Sequence, residues 1–272
     1  MYAGTTLRRR SGKIAGVHQK IDRVARYKLN KYIPRSIKFP EIKSILYFEG
    51  NNGPDAIKYS NPASDKPWHF IDPTKSNDRV LLDIMNSHIV NLSNALRISD
   101  TIRASFEAAW LAHAVVDGLT PAHHYPLNDK IEELWGKPRK EIVGNKATKS
   151  IIHGSNRRDT ISKNWEYYGA GGVMTSHLMF EIGIATAISA DKFKFSGPNT
   201  FDIGHLKRNG FEIQFMQSLH KINDIKMYED FVKNGWTRRL MLKIKKILIP
   251  EIIKIVSLAW YQAILMSKDT KK

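Results

Sequence analysis

His113, Asp117, His123 and His124 fall within one stretch, AHAVVDGLTPAHHYP at 112–126. Imidazole and carboxylate both ligate zinc-like ions, and both can move a proton. The chain has ten histidines and no cysteine. Any transition-metal site must therefore use nitrogen and oxygen donors, and cysteine nucleophiles are excluded. His113 and Asp117 stand four apart, which puts both on one helix face. That spacing alone describes a simple hydrogen bond as well as a metal site. Gly118 and Pro121 are expected to stop the helix, turn the chain back and bring His123 to the same helix end. Metal binding needs such convergence from rigid elements. SHLMFE (176–181) repeats the spacing with His177 and Glu181. Upstream, GPD supplies Asp55 and PWHFIDP supplies His69, both in a proline-rich stretch.

The elements that must carry these residues read as helices throughout. In 17–31, Val17, Ile21, Val24, Ala25 and Leu29 share a face, and His18 lies on its inner side, opposite Lys20 and Arg23. A second helix is expected over 40–50, starting at a proline and ending at Gly50. Residues 51–77 hold four prolines and read as a loop. A long amphipathic helix covers 77–97. The next is capped by Ser99 or Asp100 and runs to about Gly118. Its inner face is read as Ile102, Phe106, Ala109, Trp110, His113 and Asp117. Further helices are expected near 129–142, 173–190, 206–222, 227–247 and 250–267. With no alternating strand pattern, the fold class is all-α: one multi-helix domain over 17–272, preceded by a basic arm at 1–16. Residues 124–172 read as an insertion or lid between two helices.

In order, His18, Asp55, HFIDP, HAVVDGLTPAH and HLMFE resemble the signatures of the zinc-dependent phospholipase C and P1 nuclease superfamily, closer to its phospholipase branch. The resemblance spans about 18–181. It implies two or three zinc ions between helices. One would be held by Asp55, His69, His113 and Asp117, a second by His123, His177 and Glu181. A third would use His18 and share Asp117 as a bridge. The implied reaction is phosphodiester hydrolysis, with Asp55 open to a ligand or general-base role. The chain departs from the family in having no tryptophan before Trp68, so the third site is expected to bind more weakly. Also, 53 residues separate His123 from His177, more than in the bacterial phospholipases. His124 is a second candidate for the place of His123, which the pattern favours. His88, His153, His205 and His220 are left as ordinary polar groups.

The chain has 272 residues and a formal charge of +17. An excess of this size favours anionic partners, although it also serves solubility alone. A phospholipid or membrane surface is the expected substrate. Single-stranded nucleic acid is the alternative, stacked on aromatic residues. Trp165, Tyr167 and Tyr168 form either an interfacial loop or a packed cluster. A third reading is a non-catalytic protein that keeps its metals for stability and binds membranes through WTRRLMLKIKKIL (236–248). No protein partner is implied. The first twenty residues lack the apolar run of a secretory signal, so a cytoplasmic location is expected, with peripheral membrane association allowed. The most apolar stretch, 247–266, contains Pro250, Glu251 and Lys254 and is read as a buried helix.

Overall fold

Ten consecutive positions at and just beyond a helix end, from Leu111 to Thr120, are all buried, and the rest of the molecule is arranged around this point. The computed structural model describes residues 16–50, 52–56, 69–125, 127–136 and 151–269. Most of the basic arm, much of the 51–77 loop and residues 137–150 of the excursion lie outside the described residues. The fold is all-α, with no strand among the described residues.

The helices are α1 (Val17–Leu29), α2 (Ile42–Glu49), α3 (Val80–Arg97), α4 (Thr101–Gly118), α5 (Leu127–Trp135), α6 (Arg157–Tyr168), α7 (Val173–Ile188), α8 (Thr200–Asp224), α9 (Met227–Asn234), α10 (Arg238–Lys243) and α11 (Ile249–Asp269). A 3-10 turn, Pro121–His124, follows α4, and a π turn, Ile244–Leu248, joins α10 to α11. Helices α1, α2, α3 and α11 pack around α4. Asp100 caps α4 by accepting a hydrogen bond from the Arg103 amide at 2.9 Å.

The α4 inner face differs from the one read off the sequence. Ile102 is exposed, while Ala104, Ala108, Leu111 and Val115 are buried. Small residues let neighbouring helices come close enough to enclose the C-terminal half of α4 completely. Gly118 serves the same end. A Cβ there would stand 2.9 Å from both Leu81 and Phe215. This glycine is the last helical residue, and close approach to α3 and α8 accounts for its identity.

Helix α11 supplies the largest fully buried side chain, Trp260. Its indole N–H donates to the Ala108 carbonyl of α4 at 2.8 Å, which satisfies the polar end of an otherwise apolar residue. As its sequence suggested, α11 is a core helix. Two stretches, Arg157–Ile188 and Arg238–Lys268, are long and apolar enough to cross a membrane, but 78% of the second window is buried inside the protein. Pro250 does not open a new helix. It sits in a helical run continuous with α10, directly after the π turn, which accommodates the ring and missing N–H.

The expected 227–247 helix is broken. Gly235 has φ 67° and ends α9, and Thr237 caps α10 by accepting from the Leu240 amide. Helix α8 starts earlier than expected, at a capping box between Asn199 and Asp202, and kinks at Gly210. The excursion contains an unforeseen helix, α6. Ile131, Leu134, Trp135, Ile152 and Tyr167 form a small core of their own there, against Val173 and Met174 at the start of α7.

Candidate metal centre

Helix α4 ends at Gly118, and the backbone reverses at once. The Thr120 amide donates to the Asp117 carbonyl, and the His123 amide donates to the Thr120 carbonyl. This compact turn returns His123 to the end of α4. Residues 69–71 are clamped to it from both sides. The Ile71 amide donates to the His123 carbonyl at 3.2 Å, and the His123 Nδ1–H donates to the His69 carbonyl at 2.7 Å. The second bond fixes the tautomer, leaving Nε2 of His123 as the donor atom for a metal.

Around this turn, three groups of residues have ligand atoms within 4.8 Å of one another, and each could hold a metal ion: His18, His113 and Asp117; Asp55, His69 and His113; and His123, His177 and Glu181. All eight residues singled out from the sequence are in these groups. Seven are buried, and Asp55 is partly exposed. The Asp117 carboxylate faces two ways. Its Oδ1 lies 3.3 Å from His18 Nε2, while Oδ2 lies 2.6 Å from His69 Nδ1 and 3.1 Å from His113 Nε2. Asp55 stands 3.8 Å from His113 Nε2. In the third group, Glu181 Oε1 is 2.8 Å from His123 Nε2 and 3.0 Å from His177 Nε2. His123 Nδ1, 3.8 Å from Asp117, links that group to the other two.

Two buried carboxylates that sequence reasoning missed act on the centre. Glu49, the last residue of α2 and fully buried, lies 2.9 Å from His113 Nδ1 and 3.3 Å from His18 Nδ1. It therefore holds the far sides of two imidazoles whose Nε2 atoms face Asp117, the arrangement that orients a metal-binding histidine. The rings of His18 and His113 stack at 4.2 Å between centroids. Asp22 follows His18 by one helical turn and is buried, with no hydrogen bond to its carboxylate among the described residues. Its pKa is raised well above the usual carboxylate range by burial and then by Glu49. The His-x-x-x-Asp spacing of His18 and Asp22 was the available signal for it. Glu49 carried no comparable signal.

Burial alone would raise the Asp117 pKa, but His123, His113 and His18 are among the groups that hold it well below the usual value. Asp55 is also lowered against its burial, chiefly by His113. Burial would lower His113, yet Glu49 and then Asp117 raise it well above an ordinary histidine. His123 is lowered by burial despite Asp117. His124 turns away from the centre. Its Nε2–H donates to the Gly118 carbonyl, and burial lowers its pKa to about 4. His88 pairs with Glu107 instead of joining the centre.

The donor chemistry fits divalent cations. Among the described residues, every ion pair made by Glu49, Asp55, Asp117 and Glu181 is with a histidine. Imidazole and carboxylate donors thus gather at one buried centre, a set that suits zinc-like ions. Among the described residues, the buried Nδ1 of His177 and Oε2 of Glu49 also have no hydrogen-bond partner. Compared with known protein families, with curated proteins and with solved structures, the chain matches none.

Proposed function

We propose that this protein is a metal-dependent phosphodiester hydrolase that cleaves phospholipids in the manner of a phospholipase C. The observation that carries the reading is convergence. Eight residues from separate parts of the chain, selected by their likeness to the zinc-dependent phospholipase C and P1 nuclease superfamily, meet at one buried centre. Asp55, His69, His113 and Asp117 would hold one ion, and His123, His177 and Glu181 a second. His18 with Asp117 would hold a third. Zinc bound there would supply Lewis acidity toward a phosphoryl oxygen and a nucleophilic water near neutral pH.

The chain's own residues prepare the site for that chemistry. Glu49 and the His69 carbonyl orient imidazoles on the sides away from the donor atoms. Asp117, with its two oxygens directed at different histidines, is suited to serving two ions. Asp55, the most exposed of the set, is the group best placed to meet an entering substrate or to accept a proton.

The test is metal analysis of gently purified protein, then assays of phosphatidylcholine, an anionic phospholipid and single-stranded DNA and RNA, with and without chelator. We expect at least two zinc equivalents and chelator-sensitive phospholipid hydrolysis that is lost in Asp117→Asn. Cleavage of nucleic acid alone would move the protein to the nuclease branch. Full metal loading with no turnover of any substrate would reject the enzymatic reading.

A further inference from the structure

Helix α6 carries its apolar stripe on the outside. Ile161, Trp165 and Tyr168 succeed one another at helical spacing, and Ile161 and Trp165 are 62% and 66% exposed. The opposite side buries Tyr167 in the small core under the excursion. Of the residues that could make an interfacial or a packed cluster, Tyr167 is packed, while Trp165 and Tyr168 face out. Helix α7 packs against α6 after a tight turn in which the Gly172 amide donates to the Gly169 carbonyl. Leu178, Met179 and Ile182 are exposed apolar residues of α7. Leu178 and Ile182 each stand one residue beyond His177 and Glu181, about 100° around the same helix. The surface therefore adjoins the metal centre.

The arginines at the start of α6 bring positive charge to this surface. Arg157 and Arg158 begin α6 and are exposed, and among the described residues no acid pairs with either. The acids on α6 are engaged elsewhere, Asp159 with Lys163 and Glu166 with Lys130. The whole chain carries +17. A second copy docked face to face would set these arginines and two strongly basic molecules against each other. Nucleic acid would offer phosphates to the arginines but no match for Ile161, Leu178, Met179 and Ile182. An anionic bilayer matches both features, because its headgroups attract the arginines and its acyl boundary receives the apolar stripe. Tryptophan and tyrosine suit that boundary.

We infer that the outward face of α6 and α7, built on Ile161, Trp165, Tyr168, Leu178 and Met179 with Arg157 and Arg158 at its edge, docks the protein on anionic phospholipid bilayers. WTRRLMLKIKKIL buries Leu240, Ile244 and Leu248 in the core and keeps only Met241 and Leu242 as large exposed apolar residues, so it serves as the comparison segment. Docking requires no enzymatic activity; only hydrolysis at the docked bilayer rests on the proposed phospholipase function.

The experiment is flotation of the full chain with phosphatidylcholine vesicles, with and without phosphatidylserine. Binding should require phosphatidylserine. Partitioning should fall about tenfold in Ile161→Ser/Trp165→Ser and in Arg157→Glu/Arg158→Glu, and stay at the wild-type level in Met241→Ser/Leu242→Ser on α10. Wild-type binding in both α6 variants, or loss confined to the α10 variant, would overturn the assignment. So would a wild-type protein that ignores vesicles and instead forms a dimer dissociated by Ile161→Ser/Trp165→Ser. Hydrolysis of a short-chain, water-soluble phosphatidylcholine separates docking from catalysis. The α6 variants should cleave it at the wild-type rate while losing activity on vesicles. Vesicle binding without any hydrolysis would defeat the proposed activity and leave docking standing.

Discussion

Glu49 Oε1 lies 2.9 Å from Nδ1 of His113, whose Nε2 is 3.1 Å from Asp117. The imidazole is therefore held between two buried carboxylates, one on each nitrogen. If Glu49 orients His113 and His18 for metal, Glu49→Gln should weaken zinc binding at the groups containing those residues by about 10–100-fold. The group of His123, His177 and Glu181 does not touch Glu49 and should keep its affinity. Competition titration with a chromophoric chelator resolves the two classes. Equal weakening of every site would point to a general loss of packing instead.

Gly118 links the centre to the bundle. A methyl at this position would lie 2.9 Å from both Leu81 and Phe215 and 3.1 Å from Met85, all fully buried. Alanine improves helix propensity by about 1 kcal/mol, whereas overpacking costs about 1–3 kcal/mol. Because α3 and α8 confine the site from two sides, overpacking should dominate. Gly118→Ala should destabilise the protein by roughly 1 kcal/mol, read from denaturant midpoints at unchanged m-value. A higher midpoint would show that the long side chains yield and propensity decides.

Helix geometry made the pairs His113–Asp117 and His177–Glu181 legible, because four-residue spacing is enough to bring them together. Nothing local brings His18 or His69 to Asp117. That meeting depends on the packing of α1 against α4 and on the clamp between residues 69–71 and 123, and only family likeness anticipated it. Glu49 stayed hidden because a glutamate ending an amphipathic helix normally faces water. Helix α6 was obscured because Ile161 and Trp165 lie on its exposed side, which removes the apolar and polar contrast that reveals a helix. The break at Gly235 was readable from a glycine and a threonine close behind it, a stop and a cap, but the apolar pattern continued across it.

His124 sets an acid limit on stability. Its pKa is lowered to about 4 by burial, against an ordinary value of 6.5. The folded protein keeps His124 neutral while the unfolded chain protonates it below pH 6.5. Its share of stability is thus intact above 6.5 and lost progressively as pH falls to about 4, for a total on the order of 3 kcal/mol. In metal-free protein, His124→Gln should flatten the pH dependence of unfolding free energy within that window. Parallel curves for the variant and the wild type would remove His124 as the cause.

His113 and His123 should respond differently when metal binds. Burial would depress His113, but Glu49 and Asp117 raise its pKa well above the ordinary histidine value, which favours the protonated ring in the metal-free protein. A metal ligand must present a neutral nitrogen, so zinc has to displace that proton. Burial keeps His123 on the opposite side of its ordinary value and therefore neutral at pH 7. Filling the groups that contain His113 should release about one proton at pH 7, while His123 contributes none in its group. Apparent affinity at the His113 sites should fall about tenfold for each pH unit below the pKa of that ring. Calorimetric zinc titrations in buffers of different ionisation enthalpy measure the release directly. Glu49→Gln should reduce it, because one of the two carboxylates that raise His113 becomes neutral. Binding heats that do not depend on buffer at any site would show that His113 is already neutral in the metal-free protein, or is not a ligand.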